Sequence, residues 1–256
     1  MRINRLEGAW PVSIDLSTYA RLFSSYTELR SQDNTSLSIV FLNGNNITNS
    51  KLSASGISAR VYKNGAWGFS SYPQITEEGA KFVIETATKN AIFLDLKEQK
   101  GKNHLPSVIY SSQQDFSTTK PRLNQRQLVD FVKEIDNYIA VNYPLLSSRS
   151  VSLNCLDMKK NLITSDGSSA FSMIPRSFIG INLTIDKQGE PIHLRELYGG
   201  RGQFEDLFSS PSALFPEIDQ LFEHLMQKQD SVFTDAGWKT CILAPELAGI
   251  LAHEAI

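Results

Sequence analysis

Apolar positions along this chain recur with two periods, one typical of helices and one typical of strands. In residues 15–30 they fall at helical spacing, which predicts a helix whose N-terminus is capped by Asp15 or Ser17. Between residues 36 and 71, apolar and polar positions alternate in short runs instead. Alternation places successive side chains on opposite faces of a strand, so this region predicts four consecutive strands.

Glycines mark the ends of these strands. Asn43-Gly44 and Asn64-Gly65 are pairs that two-residue hairpin turns favour, and Gly56 separates the second predicted strand from the third. From Thr76, a suitable capping residue, the period becomes helical again. This part of the chain therefore predicts a four-stranded meander closed by a helix.

The pattern stops in a polar stretch, residues 97–123, and begins again at Asn124. Asn124 and Gln127 have the spacing of a capping box, and the apolar stripe after them predicts a helix. A further helix is predicted from Ser210. Between these helices the chain alternates again, and strands are predicted at residues 150–157, 162–165, 170–186 and 191–198.

The order of helix, strands and helix thus occurs twice. Strands bracketed by helices predict an α+β fold with antiparallel sheets flanked by helices, rather than a doubly wound parallel sheet. We expect a first α+β half in residues 1–96, a connecting loop in residues 97–123, and a second half with the terminal helix in residues 124–256. A duplicated unit is one explanation for the similar halves; the other is that alternating strands simply look alike.

Composition and charge narrow the function classes. The chain has 256 residues, of which 41% are hydrophobic and 20% charged, as in an ordinary globular protein. A net charge of −2 gives no attraction to nucleic acid or anionic membranes, so we expect neither as a partner. No stretch has the apolar length of a membrane span, and the start lacks the apolar run of a signal peptide. Two cysteines do not make a disulfide framework, which favours a cytoplasmic location.

The last stretch carries the candidate chemistry. Pro245 suits the first position of a helix, and its apolar residues then recur on one face, which predicts a buried helix. Glu254 falls on that apolar face, with His253 beside it. An adjacent His-Glu on a buried helix is the first half of a zinc hydrolase motif, in which the His binds the metal and the Glu acts as base. A helix end that frays into solvent is the alternative interpretation.

The other histidines and the glycine-rich loop are better explained by structural roles than by chemistry. His104, His193 and His224 lie in separate segments and have the pattern of surface histidines rather than ligands. The loop Gly199-Gly-Arg-Gly202 could cradle a phosphate, but it lacks the Lys-Ser/Thr of a P-loop. A tight turn is therefore predicted there.

The terminal segment 238–256 resembles the end of the N-terminal domain in the TldD/PmbA family of bacterial and archaeal metallopeptidases. The family motif is a strand followed by a helix carrying His-Glu-Ala-(Ile/Val)-Gly-His. Other family marks occur in the same order in this chain: the glycine-framed hairpin 56–69, the helix start Thr76-Glu-Glu-Gly-Ala80, the turn Ser165-Asp-Gly167 and the glycine loop 199–202.

This resemblance implies that His253 is the first zinc ligand and Glu254 the general base. The second His and a Cys ligand, with the family's C-terminal domain, would lie beyond residue 256, so we expect the chain to end inside the motif. The two family histidines are five positions apart, a rotation of about 140° on a regular helix. The helix must therefore distort or end between them for both to reach one metal, and the family's Gly would allow that.

Two function hypotheses follow from the resemblance. In the first, this is the N-terminal portion of a zinc-dependent peptidase that cleaves unfolded or leader peptides inside a homodimer or heterodimer. In the second, it is a non-catalytic peptide-binding or partner subunit, and a structural domain left by truncation is a third, plainer option. Since one protein ligand cannot hold catalytic zinc tightly, we expect the isolated 256-residue chain to have no peptidase activity.

Overall fold

The structure is a computed structural model that describes residues 14–98, 101, 105 and 108–255. A short 3-10 helix, Leu16–Leu22, precedes the first strand, and a second, Pro211–Leu214, precedes α4. The strands are β1 (Tyr26–Leu42), β2 (Asn45–Lys63), β3 (Ala66–Tyr72), β4 (Ser111–Asp115), β5 (Ser148–Thr164), β6 (Ser169–Lys187) and β7 (Glu190–Arg201). The α-helices are α1 (Glu77–Glu98), α2 (Gln125–Asn142), α3 (Phe204–Leu207), α4 (Phe215–Gln229) and α5 (Pro245–Ala255).

The strands form one continuous sheet in the order β3-β2-β1-β5-β6-β4, with β7 also paired to β6. All pairings are antiparallel except that of β4, which runs parallel to β6. The sheet is joined at its centre because β1 pairs with β5 from Glu28 opposite Thr164 to Leu42 opposite Ser150. The predicted α+β class with an antiparallel sheet is confirmed, and the two predicted halves share a single sheet.

The hairpin turns lie where the sequence predicted them. Asn43 and Asn64 have φ of 48°, and the glycine after each also has a positive φ. This left-handed conformation is the one that Asn-Gly pairs adopt at low cost in type I′ turns. Gln188 and Gly189 repeat the geometry between β6 and β7, with φ of 56° and 88°.

Four predicted boundaries were wrong. Residues 15–30 are not one helix, because from Tyr26 burial alternates along β1, with Thr27 and Leu29 buried. Gly56 does not end a strand, so β1, β2 and β3 replace the predicted four. Residues 150–157 and 162–165 are both in β5 rather than a hairpin, because the polar residues between them pair with β1 and β6. Part of the predicted loop 97–123 forms β4.

Both hydrophobic cores lie on the same face of the sheet. One is built from α2, α4 and odd-numbered residues of β5 and β6, including Val151, Leu153 and Ile179. The other is built from α1, the first 3-10 helix and residues such as Leu29 and Ile57. Even-numbered residues of β1 and β5 point the other way, and each is exposed or half-buried. The opposite face of the sheet, called the open face below, is therefore left uncovered by the described helices.

The capping box at the start of α2 is confirmed. The Asn124 side chain accepts a hydrogen bond from the Gln127 backbone N–H, and the Gln127 side chain accepts one from the Asn124 backbone N–H. The apolar stripe predicted for this helix is buried, and it includes Leu128, Val132 and Ile135. Among the helices that the structure describes, none is long and apolar enough to cross a membrane.

Candidate functional site

The predicted metal motif lies on α5. The helix begins at Pro245, and its first hydrogen bond runs from the Ala248 N–H to the Ala244 carbonyl, at 2.9 Å. Glu246 is in the first turn, where a negative charge complements the positive end of the helix dipole. His253 is in the last turn, followed directly by Glu254. The helical interpretation of this segment is confirmed, although residues 231–244 before it form no strand.

Burial of this helix was predicted wrongly. All of its residues are exposed, and its apolar positions Leu247, Ile250 and Leu251 keep 52%, 58% and 53% of their surface accessible. The connection before it is equally open, since Phe233 and Trp238 are fully exposed. No residue of this helix is buried, so no described core covers its apolar face. Glu254 consequently lies in solvent rather than against a core.

The described residues do not by themselves complete a zinc site. Among them there is no group of three or more His, Cys, Asp or Glu side chains placed to hold a metal ion. His193 on β7 and His224 on α4 are exposed and lie on other elements, and His104 lies outside the described residues. A zinc centre needs at least three protein ligands, so His253 alone is insufficient.

Cys155 offers no ready thiolate. Cys155 is half-buried in β5, and burial raises the pKa of its thiol to about 11, which keeps it protonated at neutral pH. Cys241 is exposed in the connection before α5. Both are free thiols in the described structure.

The hairpin of β2 and β3 packs closely against α1 at Gly68. A Cβ placed on Gly68 would lie 2.1 Å from the Ala87 carbonyl oxygen and 2.3 Å from the Ala91 nitrogen, both in the α1 backbone. Only glycine allows α1 to pack so tightly on β3. Thr76 then starts α1, since its hydroxyl accepts a hydrogen bond from the Gly79 N–H at 3.0 Å.

The other two glycine motifs are also structural. Ser165, in the turn between β5 and β6, exchanges hydrogen bonds with Thr27, through its backbone N–H and its hydroxyl oxygen. Gly199 has a φ of 122°, and a Cβ there would lie 2.2 Å from the Ser177 carbonyl oxygen. The glycine loop 199–202 therefore serves the close packing of β7 on β6.

A set of basic side chains on the open face was missed in the sequence. Arg30, Lys160, Arg176 and Arg201 lie on four different strands, far apart in the chain. The only signal was their position on the polar side of alternating strands. Which of them become neighbours depends on the pairing of β1 with β5 and of β6 with β7, which periodicity does not reveal.

The chain is similar in sequence to known metallopeptidases. Residues 27–91, which contain β1 from Thr27, all of β2 and β3, and most of α1, match the family model for PmbA/TldA metallopeptidase domain 1. A metalloprotease from Methanocaldococcus jannaschii is 27% identical over 205 residues, covering 78% of this chain and 44% of that protein.

Solved structures share the fold. A proposed modulator of a DNA gyrase from Thermotoga maritima superposes with a TM-score of 0.63 at 16% identity, over 87% of this chain and 49% of that one. TldE from Thermococcus kodakarensis superposes with a TM-score of 0.55 at 13% identity, over 83% of this chain and 46% of that one. This chain spans about half the length of the relatives it matches.

Proposed function

Because this chain belongs to the TldD/PmbA family of metallopeptidases, we propose that it is the N-terminal portion of a zinc-dependent peptidase for unfolded or leader peptides. The observation that carries the proposal is the adjacent pair His253-Glu254 at the end of α5. The domain boundaries, the zinc, the cytoplasmic location and a homodimeric or heterodimeric assembly are parts of the same proposal.

Each residue of the pair has one role in this proposal. His253 supplies an imidazole nitrogen, which is a preferred zinc donor, and Glu254 supplies a carboxylate that can hold a proton. Zinc, when bound, would polarise the peptide carbonyl and make water nucleophilic at neutral pH. The remaining ligands would come from outside the described residues, because those residues contain no group of three or more donors placed to hold a metal ion.

The exposure of α5 supports the proposal that another surface packs against this helix in the complete protein. Leu247, Ile250 and Leu251 keep more than half of their surface accessible on one side of the helix. An exposed apolar stripe of this kind is typical of an interaction site. Packing of α5 against another part of the complete protein, or against a partner subunit, would cover these residues and could bring further donors to His253.

The test is made on the complete gene product, after its intact mass has been measured in the native cells. Glu254→Gln should keep the bound zinc and reduce cleavage of an unfolded labelled peptide by about a hundredfold or more, since general-base catalysis contributes that much. His253→Ala should lose the zinc. Glu246→Gln, which removes the same charge from the first turn of α5, is the matched control and should change neither. Wild-type cleavage by Glu254→Gln would contradict the assignment.

The isolated 256-residue chain is a second test. We expect it to bind less than one equivalent of zinc and to leave the same peptide intact. Stoichiometric zinc and chelator-sensitive cleavage by this chain would show that the described donors suffice after all.

A non-catalytic partner or peptide-binding subunit is the alternative function. It is supported by the exposed apolar positions Leu247, Ile250 and Leu251 of α5, which offer a surface to another subunit. Under this alternative, the Glu254→Gln protein would support full cleavage when mixed with a catalytic subunit, whereas a catalytic chain would lose it.

A further inference from the structure

Positive charge is concentrated on the open face of the sheet. Although the whole chain has a net charge of −2, six basic side chains lie on this face: Arg30, Arg60, Lys160, Arg176, Arg195 and Arg201. The acidic residues of the same strand face are Glu28 and Asp186. Glu28 accepts two hydrogen bonds from Arg60, and Asp186 accepts one from the Gly189 N–H in a turn. The other basic side chains form no ion pair with any described residue.

Two of these cations flank a shallow cavity. Lys160 lies opposite Gln32, two residues along β1 from Arg30, so the two basic residues are diagonal neighbours about 7–8 Å apart at Cα. The cavity has a volume of about 400 Å³. Its lining includes Arg30, Tyr110, Ser112, Gln114, Lys160 and Ser172. Two cations beside hydroxyl and amide groups, with no acidic side chain, suit a carboxylate.

A second pair of cations lies on the next two strands of the sheet, β6 and β7. Arg176 on β6 is directly opposite Arg201 on β7, and both are exposed. The Arg201 guanidinium lies over the Phe116 ring, 4.6 Å from its centroid, which orients it without neutralising it. Like charges directly opposite each other destabilise a sheet. A bound anion would remove that cost.

The spacing of Lys160 and Arg176 fits an extended peptide. Arg176 is opposite Leu156, four residues before Lys160 on β5, so these two facing members of the pairs lie on neighbouring strands, about 13 Å apart along the strand direction at 3.3–3.4 Å per residue. In an extended peptide, residues i and i+4 project from the same side and have this separation. Met158 and Ile174 form the floor between the pairs. They suit aliphatic contacts better than the stacking of nucleic acid bases.

We propose that the open face binds acidic segments of extended peptides, with carboxylates four residues apart that meet Lys160 and Arg176, each of which has a second cation, Arg30 or Arg201, as its neighbour. That the ligand is a peptide rests on the proposed peptidase function; that it is acidic rests on the charge of this face. The face would thereby favour acidic unfolded chains over neutral ones as substrates.

The test measures peptide binding in the presence of a chelator, so that no cleavage occurs. The binding result therefore does not depend on whether the protein is a peptidase. The probe is a fluorescein-labelled, unstructured twelve-residue peptide with Glu at positions i and i+4, titrated with the 256-residue chain. We expect binding that weakens as salt is raised from about 50 to 200 mM. The Gln analogue should bind at least about tenfold more weakly, and an i, i+3 peptide should also bind more weakly.

Variants locate the site. Arg30→Gln with Lys160→Gln, and separately Arg176→Gln with Arg201→Gln, should each weaken binding about tenfold while leaving the melting temperature equal or higher. The matched control is Arg126→Gln with Lys133→Gln, the same charge change on exposed positions of α2 on the opposite side of the sheet. It should bind as the wild type does.

Three results would overturn the proposal. Equal binding of the Glu and Gln peptides would remove the charge selectivity. Tighter binding of a single-stranded oligonucleotide of matched charge, lost in the same variants, would assign the face to nucleic acid. A change of oligomeric state in the Arg30→Gln, Lys160→Gln protein, measured by sedimentation, would make the face an interface between copies of the chain.

Discussion

Gly68→Ala tests the closest contact between a helix and the sheet. The added Cβ would lie 2.1 Å from the Ala87 carbonyl oxygen, and contacts below 3.0 Å are essentially never seen for real Cβ atoms. The helix α1 must therefore withdraw from β3 by about 1 Å. A radial gap of this size forfeits a quarter to a half of each van der Waals contact across it. The buried α1 residues Val83 and Ala91 would lose packing in the same movement.

The magnitude follows from the nature of the clashing atoms. Overpacking a core costs about 1–3 kcal/mol when side chains can rearrange. Both nearest atoms here belong to the α1 backbone, so no rotamer change relieves the clash, and we expect the upper end, about 3 kcal/mol. For a chain of this size each kcal/mol lowers the melting temperature by about 2–4 °C, which gives a decrease of about 6–12 °C.

Thermal unfolding followed by circular dichroism measures this effect. The matched control is Gly200→Ala on β7, where an added Cβ meets no atom within 4 Å. Because Ala only reduces the freedom of the unfolded chain there, the control should be neutral or slightly stabilising. A Gly68→Ala protein that melts within about 2 °C of the wild type would refute the close approach of β3 and α1.

Three further predictions follow from buried and exposed groups. Arg149→Met should lower the free energy of unfolding by about 3–5 kcal/mol, because it leaves the buried Asp136 carboxylate without its 2.9 Å ion-pair partner. A denaturant titration measures this change, and a decrease of less than about 1 kcal/mol would contradict the prediction. At pH 8 an aromatic disulfide reagent should modify Cys241 rapidly and Cys155 only after unfolding. Rapid modification of both thiols would disprove the burial of Cys155. Because burial raises the pKa of Cys155 to about 11, its contribution to the free energy of unfolding should be complete below pH 9 and lost as the pH rises through 11. Leu251→Ser should change the melting temperature of this chain by less than about 2 °C, since the side chain is 53% exposed; a larger decrease would mean that α5 packs on the folded sheet.

Local interactions explain the elements that the sequence predicted well. The Asn43-Gly44 and Asn64-Gly65 turns need only the low cost of a positive φ at their own residues. The capping box at Asn124 likewise uses backbone groups three residues away. The candidate pair His253-Glu254 was located by the same kind of local pattern, together with the family resemblance.

Tertiary structure decided what these local patterns could not. Residues 26–30 carry apolar positions compatible with a helix, but pairing with β2 and β5 makes them a strand. Gly56 resembles a strand end, yet its pairing with Gln32 of β1 carries β2 through it. Whether α5 is buried depends on which surface reaches it, and its own apolar stripe could not reveal that.

The open face shows most clearly which features the local sequence determined and which the tertiary structure decided. Alternation in the sequence determined that Arg30, Lys160 and Arg176 would lie on the polar sides of their strands. Only the register of β1 on β5 and of β6 on its neighbours made Arg30 a neighbour of Lys160, and Arg176 a neighbour of Arg201. A shift of one residue in any pairing would turn these side chains to the opposite face, because side chains alternate with a period of two. Register is set by burial of the opposite face across the whole sheet, so it belongs to the fold and not to any one segment.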